Sequence, residues 1–354
     1  MTSLEHFAAR WNLWASQKCG RNEGLKQDAT RFGRQPPSRS RSPGPVMVER
    51  QRNWSGAAPA FAFGAVGLWA TNALVGKTLL AGHPVSHVQF LQFCGAALVF
   101  ALIRLFSPVR PQGEKGKTAL AAYVVGFIGL VGTMMLQYIA FASMPVIEAN
   151  LVAYTWPLMM AAAVIVLGRP RRPWLLGLTA VAGFVGVALV MSGGRSHFWS
   201  GGAWAGGGSL AGYCAAFGSA LCMAFYSLAV GRLGIAPERL LLPSALAGVA
   251  LTFAWCLHDG FTLAAGADLV LGLYLGAGPM GLGYYCWSRA AKLDQSGRIA
   301  VVAYLTPIAS TLLLALSGES LSRMAVAGAV LVIGSCLAVG IEGTEAEHDA
   351  RDNG

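Results

Sequence analysis

The sequence predicts an all-α membrane protein of ten transmembrane helices, arranged as two inverted five-helix repeats. Composition is the first observation. Of 354 residues, 55% are hydrophobic and only 12% charged, with a mean hydropathy of +0.54, well outside the range of a soluble globular chain. The second observation is an internal echo. Laying residues 140–168 over 290–318 without a gap pairs Ala153-Tyr-Thr-Trp-Pro157 with Ala303-Tyr-Leu-Thr-Pro307. The same offset of 150 sets Gly126 on Gly276 and Gly168 on Gly318. A further echo, Leu74 to Lys77 against Ala229 to Arg232, is offset by 155, as unequal loops would produce.

A bilayer core takes roughly 20 apolar residues per helix. Ten stretches qualify: 57–76, 85–106, 118–141, 147–167, 173–191, 208–230, 239–257, 265–289, 296–317 and 323–341. Any one alone reads equally as a buried helix of a soluble protein, but ten in succession with almost no interior charge read as spans. The domain plan follows: a basic, disordered cytoplasmic tail over 1–56, a first repeat over 57–191, a Gly-rich linker over 192–207, a second repeat over 208–341 and an acidic tail over 342–354. The tail is rich in Arg, Ser, Pro and Gln and has no apolar run. It contains no cleavable signal peptide, and it either meets anionic headgroups, stays solvated, or precedes a true start at Met47.

Charge sets the orientation. With the N-terminus inside, all but three of the 26 Lys and Arg residues (Lys77, Arg195 and Arg323) fall on the cytoplasmic side, as the positive-inside bias requires. Both termini are then cytoplasmic, and a bacterial inner membrane is the expected location. Five is an odd number, so the second repeat is inverted relative to the first, the arrangement of secondary transporters that alternate access to a midplane site. The net charge of +10 is accounted for by orientation, and no nucleic acid is implied.

Other chemistries lack their residues. Gly206-Gly-Gly-Ser209 has no Gly-Lys-Ser/Thr close, so it is no phosphate loop. The seven cysteines show no CxxC spacing. The six histidines form no HExxH, and neither a GxSxG elbow nor a paired intramembrane aspartate is present. Neither an enzyme activity, a cofactor nor a metal is indicated.

Polar groups are expensive in hydrocarbon and so should face a cavity. The candidates for a substrate cavity are Trp69, Asn72, His87, Gln137, Asn150, Tyr154, Trp156, Tyr226, Tyr285 and Tyr304. Gln89, Gln92, Thr133, Tyr138, Ser227, Tyr284, Trp287, Ser288 and Thr306 are further polar groups inside spans. Asn150, Tyr154 and Pro157 share one helical face, repeated by Ala300, Tyr304 and Pro307. Pro157 and Pro307 are the expected helix breaks, placing these faces either on a cavity wall or in plain helix packing. His87 is the candidate for proton coupling, unless it merely faces the outer water. Glu148 either meets an ammonium group or sits as a helix N-terminal carboxylate. Trp69 lies nearest mid-span and so departs most from an interfacial aromatic belt. Arg289 and Lys292 read as positive-inside residues, with Glu319 and Asp294 at loops.

Tyr304-Leu-Thr-Pro307 followed by Ser317-Gly-Glu-Ser-Leu-Ser322 resembles the EamA-type branch of the drug/metabolite transporter superfamily. The resemblance covers residues 57–341. Ala153-Tyr-Thr-Trp-Pro-Leu158 is similar to a stretch in that family's aromatic amino-acid exporters. Two positions depart from the pattern: Arg169 stands where most members carry a glutamate, and Gln92 where many carry an arginine. The resemblance implies ten helices in two inverted repeats, a central cavity, and export of amino acids or related small metabolites. Multidrug export is the alternative; in small relatives it uses a carboxylate deep in the first helix, where this chain has Trp69 and Asn72 and no acid. A membrane-embedded protein that transports nothing is a further alternative. The sequence leaves the oligomeric state open.

Overall fold

The computed structural model describes residues 57–106, 116–168, 172–192, 209–233, 236–262, 264–294, 299–316, 323–324, 326–335 and 337–338. The basic tail, nearly all of the Gly-rich linker, the acidic tail, Arg169, and the Ser317 to Ser322 motif with Glu319 lie outside the described residues. Among the described residues every element is helical.

Eight helices are long and apolar enough to cross a membrane: α1 (Ala57–Leu80), α2 (Val85–Phe106), α3 (Leu120–Ser143), α4 (Val146–Leu167), α5 (Pro173–Val190), α6 (Leu210–Arg232), α7 (Pro237–Asp259) and α8 (Gly266–Leu293). Two shorter apolar helices follow, α9 (Ile299–Ser310) and α10 (Val326–Ser335). The expected ten spans are therefore represented by eight of spanning length. The two shorter helices occupy the sequence of the ninth and tenth, and residues 317–322, 325 and 336 around them lie outside the described set.

Local chemistry explains where the helices bend. Proline has no N–H, and its ring displaces the carbonyl four residues back. Upstream of Pro157 and Pro307 that carbonyl belongs to Ala153 and Ala303, and there the helix breaks, at Tyr154-Thr155 in α4 and at Ala303-Tyr304 in α9. Tight turns fill the gaps, with Thr155 N donating to Val152 O at 3.1 Å and Tyr304 N to Val301 O at 3.1 Å. The first helix breaks without proline, at Ala70-Thr71. There the Thr71 hydroxyl donates to the Leu68 carbonyl at 3.0 Å, a side chain competing for a helix carbonyl. Both third-type helices contain a π-helical segment, Phe127–Gly132 in α3 and Gly276–Leu282 in α8. Allowing for the offset of 150, the two segments coincide. Each is rich in glycine, and Pro279 in the second removes one donor from the ladder.

Helix pairing exchanges under swapping of the repeats. Helix α1 packs on α8, α6 packs on α3, and α2 lies along α7. Glycine permits the closest approaches. A Cβ on Gly276 would overlap the Gln92 carbonyl oxygen and press on Gly95 Cα, so α2 and α8 meet backbone to backbone. In the mirrored contact Gly126 of α3 faces the Leu240 carbonyl and the Ser244 hydroxyl of α7. The largest buried cluster runs through both repeats, from Ala62 and Phe93 to Tyr284 and Ala303. Leu105, Phe106, Val166 and Leu210 are exposed on the outside of the bundle. Such a surface is compatible with lipid rather than water.

Candidate functional site

The break after Trp69 turns its indole toward α8, and three tryptophans meet there. The Trp69 and Trp287 rings lie 5.4 Å apart, and Trp156 stands edge-on to Trp287 at 5.1 Å. Tyr284 is edge-on to Trp69 at 6.0 Å, and Tyr226 lies 5.8 Å from Tyr284. These are the edge and tilted geometries that aromatic quadrupoles favour. The first repeat contributes Trp69 and Trp156, the second Tyr226, Tyr284 and Trp287. Trp156, Tyr226, Tyr284 and Trp287 are buried and Trp69 is partly so.

The π segments supply the polar rim of this aromatic centre. Trp69 Nε1 donates to the Pro279 carbonyl at 3.0 Å, and the Tyr284 hydroxyl points at the Gly129 carbonyl at 3.4 Å. Gly129 is required here, since a Cβ would overlap the Tyr226 ring. The Tyr226 hydroxyl donates to Ser288 Oγ at 2.6 Å, because the serine hydroxyl is itself donated to the Tyr284 carbonyl. Trp287 Nε1 donates to Ser227 Oγ at 2.9 Å. The Thr133 hydroxyl is buried and faces that of Tyr284.

Other expected site residues are distributed along the bundle. The Asn72 side-chain oxygen accepts from the Tyr138 hydroxyl at 3.1 Å, joining α1 to α3. Tyr154 and Tyr304 pack together with Leu151, Val187, Val301 and Val332 in a separate cluster. The cluster brings together both proline-broken helices with α5 and α10, and the buried Thr306 hydroxyl faces that of Tyr154. Asn150 is buried at the end of the first half of α4, and Gln137 is half-buried on α3. Pro157 and Pro307 sit at the breaks described above.

His87 does not open to water as one reading expected. It is buried, its Nε2 accepts from the Thr262 amide at 3.0 Å, and its ring stacks on Phe261. With Nε2 accepting, Nδ1 carries the proton toward Ser86 Oγ at 3.2 Å, and Ser86 donates to Asp259 at 2.7 Å. His83 meets Asp268 nearby at 2.9 Å. Together these contacts tie the start of α2 to the loop between α7 and α8. Glu148 lies in the first turn of its helix and accepts from the Tyr213 hydroxyl.

Tyr285 belongs to a third place. Its hydroxyl donates to Glu238 Oε1 at 3.1 Å, and Arg289 Nη1 donates to the same oxygen at 3.0 Å. The guanidinium lies 5.6 Å from the Phe61 ring and 5.9 Å from the Tyr285 ring, within cation–π range. Glu238 is only 6% exposed, and a buried carboxylate needs such partners. Neither this lock nor the carbonyls of the π segments stands out in the sequence. Pro279 among glycines was the available signal for the second segment; Glu238, an acid just ahead of an apolar run, was the signal for the lock.

Known proteins share this plan. A model of the EamA-like transporter family matches residues 57–192 and 210–341. An aromatic amino acid exporter, YddG of Ancylobacter novellus, is 30% identical over 226 residues, covering 61% of this chain and 75% of that protein. A solved crystal structure superposes with a TM-score of 0.68 at 25% identity, covering 82% of this chain and 99% of the other. The two matched segments, the all-helical bundle and its apolar outer surface together make this a multi-pass membrane protein that belongs to the EamA-like transporter family.

Proposed function

We propose that the protein is a secondary transporter that exports amino acids, aromatic or neutral, or closely related small metabolites. On this reading it has ten spans in two inverted repeats, lies in a bacterial inner membrane with both termini cytoplasmic, and works by alternating access. The observation that carries the reading is the aromatic centre, where Trp69, Trp156, Tyr226, Tyr284 and Trp287 of both repeats meet beside two π segments. Ring faces and edges suit an aromatic side chain, while hydroxyls and indole N–H groups suit the polar end of a zwitterion. The YddG relative, an aromatic amino acid exporter, agrees with that chemistry.

Alternating access draws support from two ties in matching registers. Asn72 and Tyr138 join the first and third helices of the first repeat; Ser227 with Trp287, and Tyr226 with Ser288, join those of the second. Offsets of 155 and 150 carry Asn72 onto Ser227 and Tyr138 onto Ser288. With the N-terminus inside, the first tie lies in the outer half and the second in the inner half. Opening one while the other holds is what a carrier requires.

The test is reconstitution in liposomes and efflux of labelled phenylalanine, threonine and a quaternary organic cation, with and without a pH gradient. Phenylalanine flux, reduced about tenfold or more in Trp69→Ala at equal membrane insertion, is the expected result. Flux of the cation alone would replace amino-acid export by multidrug export. Absence of flux for all three solutes would return the chain to a non-transport role.

A further inference from the structure

A run of buried polar side chains links α2 to α3 and α1. Gln89 and Gln92, one turn apart on α2, are fully buried. Gln89 Nε2 donates to Gln92 Oε1, and Gln92 Nε2 points at the Met134 sulfur at 3.8 Å. Met134 packs in the same cluster as Trp156, Tyr284 and Trp287. The Gln92 side chain also reaches the Tyr138 hydroxyl, which donates onward to Asn72 Oδ1 at 3.1 Å. All these donors run away from Gln89, and Gln89 Oε1 is left buried with no hydrogen-bond partner.

A buried acceptor without a donor is unfavourable, and natural structures rarely keep one without use. Its chemistry is specific. Donors aligned in one direction polarise each other, so the terminal amide oxygen is a stronger acceptor than an isolated one. The group that satisfies it best is a charged N–H donor, which makes a shorter and stronger bond than a neutral one. The second repeat has no such acceptor at the matching contact. There Gly126 meets the carbonyl of Leu240 where Gly276 meets that of Gln92, and Leu240 and Leu241 are fully buried.

We propose that Gln89 Oε1 binds the primary ammonium group of the solute beside the aromatic centre, with Gln92, Tyr138 and Asn72 holding the amide in place. The inference rests on the amino-acid export reading and adds an ammonium subsite to it. Because the acceptor exists in one repeat only, the solute is oriented along the pseudo-symmetric path, its ammonium toward the Asn72–Tyr138 tie. A quaternary ammonium, with no N–H to donate, gains nothing from this oxygen.

Full-length protein in nanodiscs, titrated calorimetrically with phenylalanine, 2-phenylethylamine and 3-phenylpropionate, tests the subsite. Gln89→Leu should weaken phenylalanine and 2-phenylethylamine roughly tenfold and leave 3-phenylpropionate within about twofold. Gln89→Glu should bind both amines at least as tightly as the wild type and weaken 3-phenylpropionate. It carries the test by itself if Gln89→Leu aggregates. Equal weakening of all three ligands would mean that Gln89 only packs α2, and unchanged amine binding in both variants would mean that the oxygen holds a water. Wild-type protein that binds none of the three overturns the export reading and this subsite together; selective wild-type binding with unselective variants overturns the subsite alone.

Discussion

At position 138 the first repeat places a tyrosine whose hydroxyl reaches Asn72, whereas at the matching position 288 the second places a serine held by Tyr226. One residue earlier the contrast reverses, with half-buried Gln137 in the first repeat and fully buried Trp287 in the second. The backbones correspond even to the π segments, but the side chains have divided the chemistry. The first repeat carries the buried amides Asn72, Gln89 and Gln92, and the second carries three of the five rings of the aromatic centre, Tyr226, Tyr284 and Trp287. The Glu238–Arg289 lock belongs to the second repeat alone, since the position 150 residues before Arg289 is Ile139. Duplication thus supplies matched helix geometry, while divergence makes the polar groups of the two repeats unlike.

Substitutions at paired positions sharpen or break this contrast. The largest effect is expected at the tryptophan. Trp287→Ala removes a fully buried ring and an N–H bond to Ser227, and should cost about 3–5 kcal/mol, against about 1 kcal/mol or less for Gln137→Ala. Thermal melting in detergent reads both, and equal losses would show that the repeats are not divided as described. Next comes the lock. Glu238→Ala leaves Arg289 facing Phe61 and Tyr285 without its carboxylate, a loss of about 2 kcal/mol given the partly exposed guanidinium. Adding Arg289→Ala should restore part of it in a double-mutant cycle, and strict additivity would deny the coupling.

The two ties should differ less. Tyr138→Phe and Tyr226→Phe each delete one hydroxyl bond worth about 1 kcal/mol, and their effects on flux should separate by direction. Uptake and efflux measured in sided vesicles would show this, and identical behaviour would argue against repeat-specific gates. The smallest effect is expected at Tyr154. Tyr154→Phe keeps the ring packed with Tyr304 and Leu151, so flux should stay within about twofold of wild type; a tenfold loss would move this cluster onto the transport path.

Much of the fold was legible because a membrane makes sequence patterns strong. Apolar runs of spanning length and the echo around Pro157 and Pro307 each reflect a large energetic constraint. The proline breaks were legible too, since a missing N–H acts locally. The echo sets Tyr154 opposite Tyr304, but their place beside Leu151 and Val332 depends on how the helices meet. His87 was legible as polar and near a helix start; only the path of the chain after Asp259 brings Thr262 and Phe261 onto its ring.

The sequence by itself determined the helices, their doubling and the lipid-facing exterior, because these follow from apolar length, proline and charge, which act over one turn or one span. Tertiary structure alone decided which polar groups meet. Trp69 reaches Pro279 across 210 residues, and Gln89 Oε1 is buried in the bundle with no donor beside it. Such contacts depend on glycine-permitted approach between helices distant in sequence, and no periodicity along the chain encodes that distance.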